Sequence, residues 1–256
     1  MVARIAFDQE FAVRYNGLVD IIDSWVSPYH SLGDMDILDF GCGEAITALG
    51  FAQRHNVRSI LGVDIGPDVY RCAARAEENV GSGLLPTNLQ IKQIQAGEDF
   101  SQGSKFDLIY SWSVFEHIDQ SIFDSVIRNL RNLLKPKGLL FVQIAPLFYS
   151  ADGSHLYHRV PEPWAHLTMQ SDRYLDRLTN ACASLEERDA LWGCFATLNR
   201  ITAPELKRRL DATGLTLLRE FYSEDSEKGD PPSDLLEVYQ KDVLVTNQVV
   251  LLYQNA

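Results

Sequence analysis

Five short apolar runs punctuate the first half of this chain, and several are hydrophobic on successive rather than alternate residues. They are Ile37 to Phe40, Ile60 to Asp64, Leu89 to Ile94, Phe106 to Tyr110 and Leu139 to Ile144. A strand wetted on one face alternates apolar and polar side chains, whereas a strand covered on both faces need not. The runs therefore predict central strands of a parallel sheet flanked by helices.

The segments between the runs read as helices. From Asp119 to Pro136 the apolar positions Ile122, Phe123, Val126, Ile127, Leu130, Leu133 and Leu134 form one stripe, with Gly138 just past its end. Pro67 suits the first turn of a helix carrying Val69, Cys72, Ala73, Ala76 and Val80. Thr202 and Glu205 have capping-box spacing, Leu206 and Leu210 share a face, and Gly214 is a stop. A strand over Leu215 to Phe221 follows, and a helix over roughly Phe7 to Val26 precedes everything. Strand and helix in alternation imply a doubly wound α/β sheet with right-handed crossovers.

One segment breaks the rhythm. Pro146 to Arg200 is too long for a simple connection, and its first part is rich in Pro, His, Tyr and Trp, as befits a lid or binding loop. The expected organisation is a single domain over 1–256. It has an N-terminal helical cap (1–34), a ligand-binding core (35–145), an insertion covering the substrate (146–200) and a C-terminal helix and strands (201–256). Glu224 to Ser233 reads as a polar surface loop.

Charge narrows the partners. Lys and Arg number 23 against 35 Asp and Glu, a formal net charge of −12. A phosphate backbone selects for clustered cations, and none is seen; an acidic surface also repels anionic headgroups. Neither nucleic acid nor a membrane is therefore an expected partner. The start lacks a signal-peptide pattern, and no apolar stretch reaches spanning length. Cysteines at 42, 72, 182 and 194 lack paired metal-finger spacing. A cytoplasmic protein, monomeric or homodimeric, with free thiols is the expectation.

The sharpest local signal is Asp39-Phe40-Gly41-Cys42-Gly43-Glu44-Ala45, closing the first strand and opening a helix. Glycines allow a tight turn and close approach of a ligand, and a helix N-terminus offers free N–H groups and positive potential. Asp64 ends the second strand, where an acid can hold both ribose hydroxyls. These features alone fit several nucleotide cofactors. A dinucleotide fingerprint, however, needs a glycine where Ile46 stands, which weighs against a nicotinamide dehydrogenase.

Taken together, four segments resemble the class I S-adenosylmethionine (SAM)-dependent methyltransferases, of the broad small-molecule branch. They are Asp39-x-Gly41-x-Gly43, Val63-Asp64-Ile65, the block Phe106 to Ile118 with its Glu116-His117 pair, and Leu133-Leu134-Lys135-Pro136-Lys137-Gly138-Leu139-Leu140. Asp242 to Tyr253 is similar to that family's last strand. The resemblance implies a Rossmann-like, mostly parallel seven-stranded sheet with the insertion after the fifth strand. It also implies SAM as cofactor, S-adenosylhomocysteine (SAH) as product, and a methyltransferase activity. By the same resemblance Asp39, Gly41, Cys42 and Gly43 surround the methionine part of SAM. Asp64 holds the ribose, Ile65 packs on the adenine, Gly97 and Glu98 read its edge, and Ser111 and Trp112 line the pocket. Ala45 stands where the family's first motif has a third glycine.

The acceptor is left open as a small polar metabolite, with a sugar or secondary-metabolite hydroxyl favoured. A hydroxyl acceptor needs a base within hydrogen-bond reach, and the candidates are His155, His166 and His117. Tyr149, Tyr157 and Trp164 could wall a ring. His155-x-x-His158 with His166 and Asp152 or Glu162 has the residue types of a metal site, but Pro161 and Pro163 interrupt any helix that would align them, and no metal is expected. The alternative to an enzyme is a catalytically silent SAM-binding regulatory or partner subunit. Nucleic-acid or protein methylation is disfavoured by the charge.

Overall fold

The structure is a computed structural model, and it describes residues 8–98, 100–101 and 103–256. A helical segment opens the chain as α1 (Gln9–Ala12), a π-helical stretch (Val13–Leu18) and α2 (Val19–Val26). Phe7, the first residue of the expected helix, lies outside the described residues. The strands then follow as β1 (Asp36–Phe40), β2 (Ser59–Asp64), β3 (Leu89–Gln93), β4 (Phe106–Trp112), β5 (Leu134–Ile144), β6 (Thr216–Glu224) and β7 (Thr246–Gln254). They form one seven-stranded, mostly parallel sheet in the order β3-β2-β1-β4-β5-β7-β6. β1 pairs in parallel with β2 and β4, and β2 with β3. Ile37, Leu38, Leu108 and Ile109 are fully buried, as expected for strands covered on both faces.

Two compact units make up the chain. The first comprises the described residues to Trp112 together with Arg128–Phe141 and Leu252–Ala256. It contains α3 (Ile46–Arg54), a 3₁₀ turn (Pro67–Arg71) and α4 (Cys72–Val80). Helix α3 lies tightly on the π-helical stretch: a Cβ on Gly50 would sit 2.4 Å from the Tyr15 carbonyl oxygen. That approach explains a glycine in a helix interior, where it otherwise costs stability.

The second unit comprises Ser113–Ile127 and Val142–Leu251. Most of α5 (Phe123–Leu133) lies outside it, whereas α6 (Ala165–Thr168), α7 (Ser171–Ala181), α8 (Leu185–Thr197) and α9 (Ala203–Asp211) lie within it. The insertion has a core of its own, with Leu156, Val160, Ala165, Tyr174 and Leu178 buried against Trp192 and Phe195. Trp164 is part of a neighbouring buried cluster, its indole N–H donating to the Leu244 carbonyl at 3.2 Å. It is a packing residue rather than an open wall. The expected cap of α9 is present, Thr202 Oγ accepting from Glu205 N–H at 3.3 Å, while the Glu205 carboxylate turns instead to Arg208 and Arg209.

Two boundaries differ from expectation. The stripe ends at Leu133, and the strand begins at Leu134 rather than Leu139. Lys135, in the segment between Leu133 and Leu140, is neutralised by Asp36 and Asp107, both at 2.7 Å. Lys137 N–H and Asn255 N–H then pair with the Asn255 and Gly138 carbonyls. Gly138 is required less as a helix stop than for closeness, since a Cβ there would lie 2.9 Å from the Phe106 carbonyl oxygen. At the other end, Asp242 does not enter the last strand. Lys241–Val245 forms a helical turn, with Thr246 Oγ donating to the Asp242 carbonyl.

Candidate cofactor pocket and histidine cluster

The turn after β1 places three residues in the left-handed region, Gly41 (φ 82°), Gly43 (φ 53°) and Ala45 (φ 56°). Gly41 and Cys42 N–H are used on the Val63 carbonyl, and Gly43 N–H donates to Asp64 Oδ2 at 2.8 Å. Ala45 caps α3 without any side-chain hydrogen bond, so the first N–H groups of the helix have no side-chain acceptor. An amino-acid carboxylate fits that position. Arg14, from the π-helical stretch, comes within 3.9 Å of where a Gly43 Cβ would stand, adding a cation at the same turn.

Asp39 is 4 % exposed, and its pKa is pushed up to about 7 by burial, with Asp64 adding to the rise while Tyr110 and Arg14 oppose it. Tyr110, wholly buried beside it, has its phenol held protonated by burial and by the Asp39 charge. Asp64 Oδ1 accepts from Gly66 N–H at 2.7 Å, so each carboxylate oxygen holds one backbone N–H and keeps a lone pair for a diol. Ile65, next to it, is 64 % exposed, an apolar surface at the strand end. Glu98 is exposed and engaged, one oxygen accepting from Gln95 N–H at 2.9 Å and the other pairing with Lys92 at 2.8 Å. Lys92 holds its carboxyl below the usual range. Gly97 sits beside it at φ 81°. Ser111 is buried and ties β4 to β1 by donating to the Phe40 carbonyl at 3.0 Å, and Trp112 stacks on Phe141. Cys42 is buried, its thiol raised by burial and the acids nearby, which keeps it unreactive.

The three histidines singled out by sequence converge in the second unit. His117 and His155 meet edge to face with centroids 5.4 Å apart, and His166 stands edge-on to Phe148 at 5.2 Å. His155 Nε2 lies 3.1 Å from the Pro146 carbonyl oxygen, and His166 Nε2 lies 2.6 Å from that of Phe148. A carbonyl oxygen only accepts, so both rings carry their proton on Nε2 and present the Nδ1 lone pair. Burial pushes His166 down to about 4 and lowers His155; protein mass and the His155 ring lower His117, which keeps an exposed edge. Among the described residues no group of three or more His, Cys, Asp or Glu is placed to hold a metal ion. Tyr149 packs on Tyr239 and Phe148, and Tyr157 on His158.

Sequence reasoning did not single out Arg14 and Tyr110, which the fold brings beside the glycine turn and Asp39, nor Glu116 as a buried carboxyl. Glu116 is 3 % exposed, and among the described residues neither carboxylate oxygen has a hydrogen-bond partner. Burial pushes its pKa up to about 8. The signal for Arg14 was indirect: Gly50 marks where α3 must be closely approached.

A glycine turn before a helix without a side-chain cap, with a carboxylate at the next strand end, is the arrangement of a Rossmann-like protein and fits a nucleoside bearing a carboxylate. A family model described as a methyltransferase domain matches residues 18–220, and the chain belongs to the class I SAM-dependent methyltransferases, whose cofactor is SAM. It is 27% identical over 106 residues to the ubiquinone biosynthesis O-methyltransferase of Glaesserella parasuis, covering 41% of this chain and 43% of that one. The corresponding enzyme of Rickettsia bellii is 27% identical over 123 residues, covering 48% and 47%. The chain thus spans less than half the length of these relatives. Among solved structures, magnesium protoporphyrin IX methyltransferase from Synechocystis with bound SAH is similar in fold (TM-score 0.55, 15% identity, 99% of this chain and 92% of that one). So is the [4+2]-cyclase SpnF (TM-score 0.59, 17% identity, 98% and 83%).

Proposed function

We propose that this protein methylates a hydroxyl of a small polar metabolite, a sugar or a secondary metabolite. The O-methyltransferase names of its relatives support the choice of oxygen. The observation that carries the reading is the pair His155 and His166, each locked by a carbonyl into the tautomer that offers Nδ1 as proton acceptor. Bound SAM would supply a methyl group activated by its sulfonium. Around it, Asp39 and the α3 N–H groups would hold the amino acid, Asp64 the ribose and Ile65 the adenine face, with Gly97 and Glu98 at its edge. Ser111 and Trp112 would close the pocket wall. Four free cysteines agree with a reducing, cytoplasmic setting.

The test is SAH formation over a panel of sugars and alcohols, with SAM and SAH affinities measured by titration calorimetry. His155→Gln and His166→Gln should lower kcat by about 100-fold or more for the residue that takes the proton, leaving SAH affinity unchanged. Loss of neither rate removes the base assignment, and absence of SAM binding removes the whole reading.

One observation favours a second reading. A histidine held at about 4 is a weak proton acceptor, and SpnF shows that this fold also carries the name of a cyclase. SAM binding with no acceptor methylated would favour a silent regulatory or partner subunit.

A further inference from the structure

Several non-glycine residues in or near the histidine cluster lie in the left-handed region, among them Ser113 (φ 52°), His155 itself (φ 62°), Trp164 (φ 55°) and Arg200 (φ 60°). Such residues are strained and persist only where the surroundings over-determine them. At Arg200 the over-determining group is Asn199. Its side-chain amide donates to the Phe115 and Ile118 carbonyls at 2.6 and 2.8 Å and its Oδ1 accepts from Ile201 N–H at 3.0 Å. Its backbone N–H donates to the Glu116 carbonyl at 2.8 Å. The backbone of Arg200 is therefore fixed to the segment that carries His117.

What that fixed backbone presents is a guanidinium laid over the Phe148 ring, 5.0 Å from its centroid. His166 meets the same ring edge-on, and the Arg200 charge is felt at both His166 and Tyr149. In an acidic chain most arginines find carboxylates; Arg75, Arg159, Arg177 and Arg209 all do. Arg200 is exposed, and among the described residues no acidic side chain pairs with it. A strained, stacked, uncompensated guanidinium beside neutral imidazoles has its planar fork open to a ligand.

We infer that the acceptor carries a carboxylate, bound by Arg200, with an apolar body lying against the half-buried rings of Tyr149 and Phe195, which flank the buried Phe148. Phe195 stacks on Phe148 with centroids 6.1 Å apart, and Tyr149 meets Phe148 edge-on at 5.3 Å. A single guanidinium matches the one negative charge of a carboxylate and its bidentate geometry. This inference rests on the methyltransferase reading and names its substrate class; Arg200 is its specificity-determining residue.

The experiment saturates the protein with SAH and titrates it with benzoate and with benzamide, following the ligands' proton NMR lines and the heat of binding. Benzoate should bind saturably and benzamide at least about tenfold more weakly, the value of a charge-assisted pair. Arg200→Gln should lose the preference and Arg200→Lys should keep part of it, both with SAH affinity unaltered. Equal binding of the two probes, no saturable binding of benzoate, or an unchanged preference in Arg200→Gln would overturn the inference. Failure of SAH itself to bind is seen before either probe is added, and would count against the methyltransferase reading instead.

Discussion

Glu116 is a buried carboxyl with no hydrogen-bond partner among the described residues, and the removal of its charge has a calculable effect. In the unfolded chain it titrates near 4.5 and in the fold near 8. The native state therefore binds more protons between those values, and stability must fall as pH rises through that window and level off above about 8. At about 1.4 kcal/mol per tenfold change in proton affinity, the full penalty approaches roughly 5 kcal/mol. From about pH 5.5 to about pH 8.5 some 3 kcal/mol of it should be expressed. Glu116→Gln keeps the shape and deletes the charge. The variant's advantage over the wild type should therefore grow by about 3 kcal/mol between about pH 5.5 and about pH 8.5, an added difference of roughly 6–12 °C in Tm for a chain of this size. The depressed histidines titrate in the opposite sense, losing stability as pH falls, but they cancel in the difference between the two proteins. Paired urea and thermal melts across the range measure it. Parallel stability profiles for the two proteins would refute the reasoning, because they would mean that Glu116 is solvated or partnered in solution.

Other expectations follow from the same geometry. Asp64→Ala should weaken SAM and SAH by about 100-fold or more in calorimetry, having lost a charged acceptor and the anchor of two backbone N–H groups. Gly50→Ala should destabilise by about 3 kcal/mol in denaturant melts, since its Cβ would be 2.4 Å from the Tyr15 carbonyl. Thr202→Ala should cost about 1 kcal/mol through the lost α9 cap. If His166 takes the proton, kcat/KM should hold steady as pH falls through 6.5 and decline only toward about 4, because the neutral ring is already the prevailing form above that value.

The strands were legible because burial on both faces writes itself into composition, as in Ile37 to Phe40. The glycine turn was legible because only small residues accept its dihedrals, Ala45 at φ 56° being the tolerated exception. What was illegible depends on partners distant in sequence. Lys135 passes for a loop residue until Asp36 and Asp107 close on it, and Asp242-Val243-Leu244-Val245 has strand composition but folds as a helical turn. The histidines could be named from sequence, but their shared tautomer is set by the Pro146 and Phe148 carbonyls, which no spacing rule announces. Arg14 and Arg200 are ordinary surface arginines until the fold brings a glycine turn to one and an aromatic ring to the other.

Asp64 grips Gly43 N–H with one oxygen and Gly66 N–H with the other. The same carboxylate thus buttresses two loops before any nucleoside arrives, and a newcomer meets walls already standing. An asparagine there would offer one oxygen and one NH₂ to two facing donors, so one loop would have to let go. Charge and shape at this position are inseparable, because the oxygens that would meet a nucleoside are the ones that hold both loops.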